Sequence, residues 1–491
     1  MNSIFQRSNP AIEKLFAEAG SPKKVMCIPI DYAKRQHTAL VCNGDGLQLR
    51  VVFNIHNNPE GVAFMEQIVQ GLCKKHAIRK QYVFFGGEDC STFAFNFIHA
   101  LLQAGYLGIG LNARDAAKER ENQVASTDQL DLRGIASLLI NKKWGRTLSA
   151  EYNAARILRE LTHHRAALVK AHTASAYRIH RLVDQLVPGF LDEKQSGLTP
   201  FSQPSLWVMS AHFAPRQLLA RKSDVLAEKL RLFMVRDPEV KVAKLKALAG
   251  SVLPPPSALC QTLQINLTHE VSVHQHLGHC IQEVDKDIAQ RLAATPGAML
   301  TTVPGIGVTL AAALYAEIGD PTRQRCLKRL TSYAGLVARL KQTGGPDKEA
   351  QTKGRSRRAC VPLKRCIMDI ALKMGQFGQE ELQRDYQRRV DDRQDPRLTM
   401  GRRMLRICTH LIRHTDFFVP PSLVRNSAHA VRRDYYAHAW DKILIKWRDA
   451  GAIQQAFVDG TPLEKWRRML NELYNLKLDK LSPQYDRLRA R

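Results

Sequence analysis

The feature that most constrains this chain is a change of hydrophobic period between residues 24 and 111. Val25 to Asp31 (VMCIPID) is a short apolar run, His37 to Cys42 is another, and Asn43-Gly44-Asp45-Gly46 separates the second from Leu49 to Phe53. Apolar runs joined by such a turn form a β-hairpin, so three antiparallel strands open the region. Pro59-Glu60-Gly61 then starts a helix carrying Val62, Met65, Ile68, Val69 and Leu72 on one face. Tyr82 to Gly86 reads as a strand, Ser91 to Ala104 as a helix and Tyr106 to Leu111 as a strand. Hairpin strands followed by alternating helices and strands describe an α/β domain with a mixed sheet.

From about residue 150 the period stays helical. Leu158, Leu161, Leu168, Ile179, Leu182 and Leu186 keep helical spacing until Pro188-Gly189, and Leu277, Ile281, Val284 and Ile288 repeat at four-three-four intervals. Ser251 to Pro256 (SVLPPP) breaks the two tracts. Such arms form coiled coils or space two working domains, and an ordinary helical bundle is the plainer alternative. A third unit begins near Ala298, and a helical extension follows Pro420-Pro421. Trp440, Trp447 and Trp466 lie there among Arg432, Arg433, Lys446, Arg448, Arg467 and Arg468. Aromatics in basic helices can stack on bases, but seven-residue spacing reads first as core.

Charge narrows the partner. The 491 residues carry 73 Lys and Arg against 46 Asp and Glu, a formal net charge of +27. That excess calls for a polyanion, nucleic acid first, and no small anionic metabolite would need it. It is uneven: from Pro321 to Arg491 there are 37 basic and 18 acidic residues, against 36 and 28 in the first 320. The C-terminal third is therefore the expected grip. No run of about 18 apolar residues could span a membrane, and the N-terminus MNSIFQRSNPAIEKLF lacks the apolar stretch of a signal peptide, so a cytoplasmic protein is expected. The 10 cysteines contain no CxxC pair and read as reduced, packed thiols. With no HExxH, GxSxG or GxxxxGK[ST], the zinc peptidase, serine hydrolase and P-loop NTPase readings lack their parts.

Four acids stand out. Asp31 closes the first strand and Glu88 follows the Tyr82 to Gly86 strand. Asp128 and Asp131 stand three apart in STDQLDLRGIASLL, where Leu130, Ile135, Leu138 and Leu139 imply a helix, so the pair faces one direction. Singly, each reads as a solvated group or a turn cap. On this strand order they can converge on one or two Mg²⁺ ions, whose hard-oxygen coordination serves phosphoryl transfer. Further on, Gly305 and Gly307 in TVPGIGVTLAAALYAEIGD precede an apolar helix and expose N–H groups suited to a DNA phosphate, with a plain turn as the alternative. His274, His276, His279 and Cys280 (HQHLGHC) look like a metal tract, but no second cluster completes a tetrahedral site, so a polar helix face is expected.

These two blocks, in this order, resemble the DEDD transposases of bacterial insertion sequences, the family that also holds the pilin-gene invertases and the bridge-RNA-guided DNA recombinases. The first block runs through IPIDYAK, GGED and STDQLDLRGIA. The second runs through TTVPGIGVTLAAALYAEIGD, LTSYAGLVAR, QTGG and KGRSRR. The resemblance covers roughly residues 24 to 420, with the helical middle matched only in character. It implies an α/β ribonuclease-H-like (resolvase-like) catalytic domain over 20–148, in which Asp31, Glu88, Asp128 and Asp131 ligate Mg²⁺. A helical coiled-coil arm over 149–295 and an α-helical transposase domain over 296–420 follow, leaving 421–491 as a basic extension.

In that family a serine immediately before a glycine is the nucleophile. The matching residue here is Thr343, in Gln342-Thr343-Gly344-Gly345, a bulkier hydroxyl with a restricted χ1. Ser332 and Ser356 are the other nearby hydroxyls. Smaller departures are Pro29, Ser126 and Leu132, where the family has glycine, lysine and alanine; none removes a carboxylate. The resemblance implies a DNA transposase or site-specific recombinase acting on element ends and target through a covalent intermediate. It would be guided by a structured RNA and work as a homodimer or homotetramer. Arg339, Lys341, Lys353, Arg355, Arg357 and Arg358 would face phosphate with Gly305 and Gly307. Two other readings stay open: a resolvase-like nuclease using water, and a non-catalytic nucleic-acid-binding descendant.

Overall fold

The computed structural model describes residues 8–88, 93–112, 119, 128–149, 154–211, 213–319, 327–341, 351–355, 359–377, 380–392, 396–420, 422–423 and 428–478, the side chains at 128, 327–329, 338–341, 351–355 and 377 excepted. The chain divides into two compact units, 1–152 and 153–491.

The first unit opens with helix α1 (Pro10–Ala19), capped by the Asn9 side chain. A six-stranded sheet follows in the order β3-β2-β1-β4-β5-β6. Strands β1 (Met26–Asp31), β2 (Gln36–Asn43) and β3 (Gln48–His56) pair antiparallel. In the turn between β2 and β3, the Asn43 side-chain oxygen accepts from the backbone N–H groups of Asp45 and Leu47. Helix α2 (Pro59–His76) leads to β4 (Val83–Gly87), and α3 (Phe95–Gln103) to β5 (Leu107–Gly110). β4 runs parallel to both β1 and β5. Helix α4 (Asp128–Ile140) and the short antiparallel edge strand β6 (Arg146–Thr147) complete the unit.

β1 is apolar from Met26 to Ile30, as suits a strand with both faces buried, and ends on the half-buried Asp31. Met26, Ile28 and Ile30 join one core with Met65 and Ile68 of α2 and Phe97 of α3. Cys27 joins another with Ile12 of α1, Phe84 and Ile109 of the sheet, and Leu132, Ile135 and Leu139 of α4. The mixed α/β sheet is the one expected, and its first five strands follow the ribonuclease-H-like order. Neither α1 nor β6 was legible beforehand.

The second unit is mostly helical. Helices α5 (Ala154–Leu186) and, further along, α11 (Ser257–Ala293) pack antiparallel. Arg165 pairs with Asp285, the His172 ring stacks on His274 at 3.7 Å, and Arg178 pairs with Glu270, so one chain ascends as the other descends. Between them lie α6 (Glu193–Ser196), α7 (Gln203–Ala211), α8 (Pro215–Ala220), α9 (Ser223–Leu232) and α10 (Pro238–Ser251). They share a core of Phe190, Phe213, Leu230 and Leu245 with Ile179 and Leu182 of α5 and Leu267 of α11. The helix pair therefore carries a small bundle at one end, where the sequence showed only a proline break. His274 is buried in the helix contact instead of lying on a polar face. Its neighbours do fit that face: Cys280 Sγ lies 3.6 Å from His276 Nε2, and His279 pairs with Glu283.

Helices α12 (Val308–Ile318) and α13 (Leu327–Tyr333) lead to a two-stranded ribbon, β7 (Ala338–Lys341) and β8 (Gln351–Arg355). Then come α14 (Val361–Phe377), α15 (Glu380–Asp391), α16 (Pro396–His414), α17 (His429–Asp449), α18 (Ile453–Ala456) and α19 (Pro462–Tyr474). One core joins Leu158 of α5 and Ile288 of α11 to Leu314, Ile367, Met404, Trp440 and Trp447. The Trp440 and Trp447 indoles are wholly buried and donate to Leu478 O and Thr301 Oγ1, while Trp466 donates to Thr415 O. These tryptophans build core, and the segment after Pro420 packs into the same core as α12. Among the described residues, no helix is long and apolar enough to cross a membrane.

Candidate active site

The sheet ladder sets the first two acids. Parallel pairing matches Ile28 with Phe85 and Pro29 with Gly86, and the same register carried two steps further would bring Asp31 level with Glu88, the residue after β4. The approach is tight at Gly87, where a Cβ would lie 2.0 Å from the Ile30 carbonyl oxygen and 2.8 Å from the Tyr32 ring. A side chain there would push the strand ends apart, so glycine belongs to the site's geometry. Asp31 and Glu88 are both half-buried. Beside Asp31, His37 is fully buried: its Nδ1 accepts from the Ala33 N–H at 3.2 Å, and its ring packs edge-on against Tyr32 and Phe97. Sequence reasoning missed Tyr32 and His37 as walls of this corner, since a lone histidine at a strand start carries no signal of burial.

The second pair sits on α4. Leu132, Ile135 and Leu139 press this helix onto the sheet, with Asp131 half-buried one residue before Leu132. Asp128 begins the helix, and its side chain lies outside the described residues. Among the described residues no three His, Cys, Asp or Glu side chains gather closely enough to hold a metal ion, so Asp31, Glu88 and Asp131 do not form such a group. Carboxylate oxygens on a strand end, a loop start and a helix are the donor type that Mg²⁺ takes.

In the helical unit, Pro304-Gly305-Ile306-Gly307 enters α12. Gly305 has φ +77°, and Gly307 is the N-cap without a side-chain cap and with open space where a Cβ would stand. The preceding turn is fastened by Lys446, whose Nζ donates to the carbonyls of Thr301 and Val303. Burial, with repulsion from Lys442 and Lys373, pushes that ammonium down to about 7. A carboxylate already stands near the helix start: Thr309 Oγ1 donates to Asp285, which also pairs with Arg165. The N-terminus thus has basic and acidic company, and a phosphate there would share it with Asp285.

The ribbon carries Arg339 and Lys341 on β7 and Lys353 and Arg355 on β8, with Ala338 opposite Arg355 and Lys341 opposite Gln351. The side chains of these four lie outside the described residues, as do Thr343, Ser356, Arg357 and Arg358. Ser332 is exposed near the end of α13.

Comparison with known proteins assigns the class. Residues 28–188 match the DEDD transposase model of the IS110 group, and residues 297–387 match the transposase model of the IS116/IS110/IS902 family. The chain is a DNA transposase or recombinase enzyme. It is 23% identical to an insertion element IS116 protein of 44.8 kDa from Streptomyces clavuligerus, over 65% of this chain and 77% of that protein. It is 36% identical to a pilin gene-inverting protein of Moraxella bovis over 75 residues, which cover 14% of this chain and 23% of that one. The chain belongs to the IS116/IS110/IS902 transposase family.

Proposed function

We propose that this transposase cleaves and rejoins DNA by divalent-metal-assisted phosphoryl transfer, with Thr343 as nucleophile and with Asp31, Glu88, Asp128 and Asp131 as the acids that would close around the ion, since the described three do not gather closely enough without one. The observation that carries the reading is the β1–β4 register, which ends at Pro29 opposite Gly86 and, carried on, puts Asp31 level with Glu88 just past the end of β4. Mg²⁺ held by such acids would neutralise charge developing on the scissile phosphate. The Thr343 hydroxyl then attacks phosphorus: the new Oγ1–P bond forms, the bond to the 3′ oxygen breaks, and the proton lost from threonine is balanced by one gained at the departing 3′ hydroxyl. A 3′ hydroxyl attacking the phosphothreonine reverses the step and rejoins strands in a new order. The basic residues of the ribbon and of 357–358 hold the backbone phosphates. Guidance by a structured RNA, and work as a dimer or tetramer, follow from the family resemblance, and the +27 charge suits two nucleic-acid partners.

A nuclease using water is the second reading, favoured by the threonine where serine is usual. The two separate on a denaturing gel after incubation of labelled element-end DNA with the protein and Mg²⁺. Protein covalently joined to the strand is expected, while clean cleavage without an adduct would favour water. No cleavage with any structured RNA from the element's flanks would sink both.

A further inference from the structure

The chain leaves α13 at Tyr333, runs through the β7–β8 ribbon and the connection that contains Thr343, and returns at Cys360 to begin α14. The two ends of that excursion are fastened together. The Cys360 N–H donates to the Tyr333 carbonyl at 2.8 Å, and Gly335 approaches Ala359 so closely that a Cβ at 335 would lie 2.4 Å from the Ala359 Cβ. Side chains continue the link inward. The Cys360 thiol donates to Glu317 Oε2 at 3.2 Å. Burial pushes this thiol up, so it remains an S–H donor. Glu317, on α12, is 4% exposed, and its Oε1 lies 2.7 Å from His163 Nε2 and 3.7 Å from Arg159 Nε. Arg159 also donates to the Ala316 carbonyl at 3.1 Å, and it stands one turn from His163 on α5.

A buried carboxylate is costly, and an apolar side chain would pack this junction at least as well. What the carboxylate adds is direction: one oxygen faces α5 and the other faces the root of the ribbon. We infer that Glu317 is a positioning residue for strand transfer, which fixes the root of the β7–β8 ribbon through Cys360 while His163 and Arg159 hold its carboxylate in place. The inference rests on the proposed role of Thr343. Its physical warrant is that an attacking hydroxyl displaced by about 1 Å can lose on the order of 10²-fold in rate.

The test uses the full chain with Glu317→Ala, Glu317→Gln, Cys360→Ala and Cys360→Ser, and with Thr343→Ala in parallel. Amide hydrogen exchange over 336–341 and 351–355 is read beside the rate of covalent adduct formation, DNA affinity and the unfolding midpoint. Glu317→Ala should speed exchange in the ribbon and slow adduct formation by about 10²-fold, with DNA affinity unchanged. Glu317→Gln keeps an acceptor for the thiol and should recover much of the rate. Should Glu317→Ala fail to fold, Cys360→Ala cuts the same link at its outer end and should loosen the ribbon, with Cys360→Ser restoring it. Unchanged ribbon exchange in both alanine variants would overturn the inference, as would a rate loss no larger than the loss of DNA affinity. If Thr343→Ala still forms the adduct, the nucleophile reading fails first and the inference falls with it. If Thr343→Ala abolishes the adduct and Glu317→Ala leaves it intact, only the inference fails.

Discussion

The α/β unit and the helical unit hold their reactive groups by different means. In the first, Asp31 and Glu88 are set by main-chain pairing: once Ile28 meets Phe85, the strand ends follow, and only Gly87 has to stay small. In the second, the ends of the ribbon leading to Thr343 are fastened by side chains distant in sequence. Arg402 donates to the Leu336 carbonyl at 2.7 Å, and Glu317 reaches Cys360 from α12. A ladder spreads its positional control over many backbone bonds, whereas a fastened ribbon depends on a few contacts, each able to fail alone. Substitutions in the sheet corner should therefore act through stability, and those at the ribbon root through rate.

The largest effect expected is at Thr343. Alanine there should abolish the covalent adduct while metal and DNA binding persist, and serine should preserve or raise the rate by restoring a less hindered hydroxyl. A gel assay of adduct formation decides it, and an adduct in the alanine variant would move the role to Ser332 or Ser356.

Next is Gly87→Ala, whose Cβ would meet the Ile30 carbonyl oxygen at 2.0 Å. It should cost about 1–3 kcal/mol by overpacking, read as a lower denaturation midpoint of the α/β unit. Gly307→Ala meets nothing within 4 Å and should leave stability within about 1 kcal/mol of the parent. Equal losses at both glycines would break the contrast between a crowded strand end and an open helix start.

A pH-dependent effect concerns Lys446. The unfolded chain keeps this proton to about 10.5, while the folded chain releases it near 7. Between those values the unfolded state binds more protons, so this group makes stability rise with pH across that window. Urea midpoints at several pH values should show the rise in the parent and its absence in Lys446→Gln.

The smallest effect is on binding. Because Trp440 and Trp447 are core, removing the segment after Pro420 would unfold the unit instead of testing its charge. Arg433→Gln and Lys442→Gln, both at exposed positions of α17, should each reduce the salt slope of DNA binding by about one wherever they contact phosphate. Unchanged slopes would move the grip to the ribbon.

What the sequence showed follows the same division. The strands, the Asn-Gly-Asp-Gly turn and the ends at Asp31 and Glu88 were legible because period-two patterns and turn residues are local signals. Helix α12 and the break at Pro188 were legible for the same reason. The bundle of α6 to α10 was not, since its short helices gain their stability from Phe190, Phe213 and Leu245 packing together, which no window of neighbouring residues displays. The burial of His37 and His274 and the Glu317 junction escaped for that reason too, because Glu317 and His163 lie 154 positions apart.

The central claim, that Asp31, Glu88, Asp128 and Asp131 share one metal centre, has a direct measurement. Fe²⁺ bound in place of Mg²⁺, with ascorbate and peroxide, cuts the polypeptide beside the ion, and mass spectrometry of the fragments locates the cuts. Cleavage is expected around residues 31, 88 and 128–131 together, suppressed by excess Mg²⁺ and lost in Asp31→Asn. Cuts near 31 and 88 with none at 128–131, or cuts confined to the His276–Cys280 face, would contradict the four-acid centre.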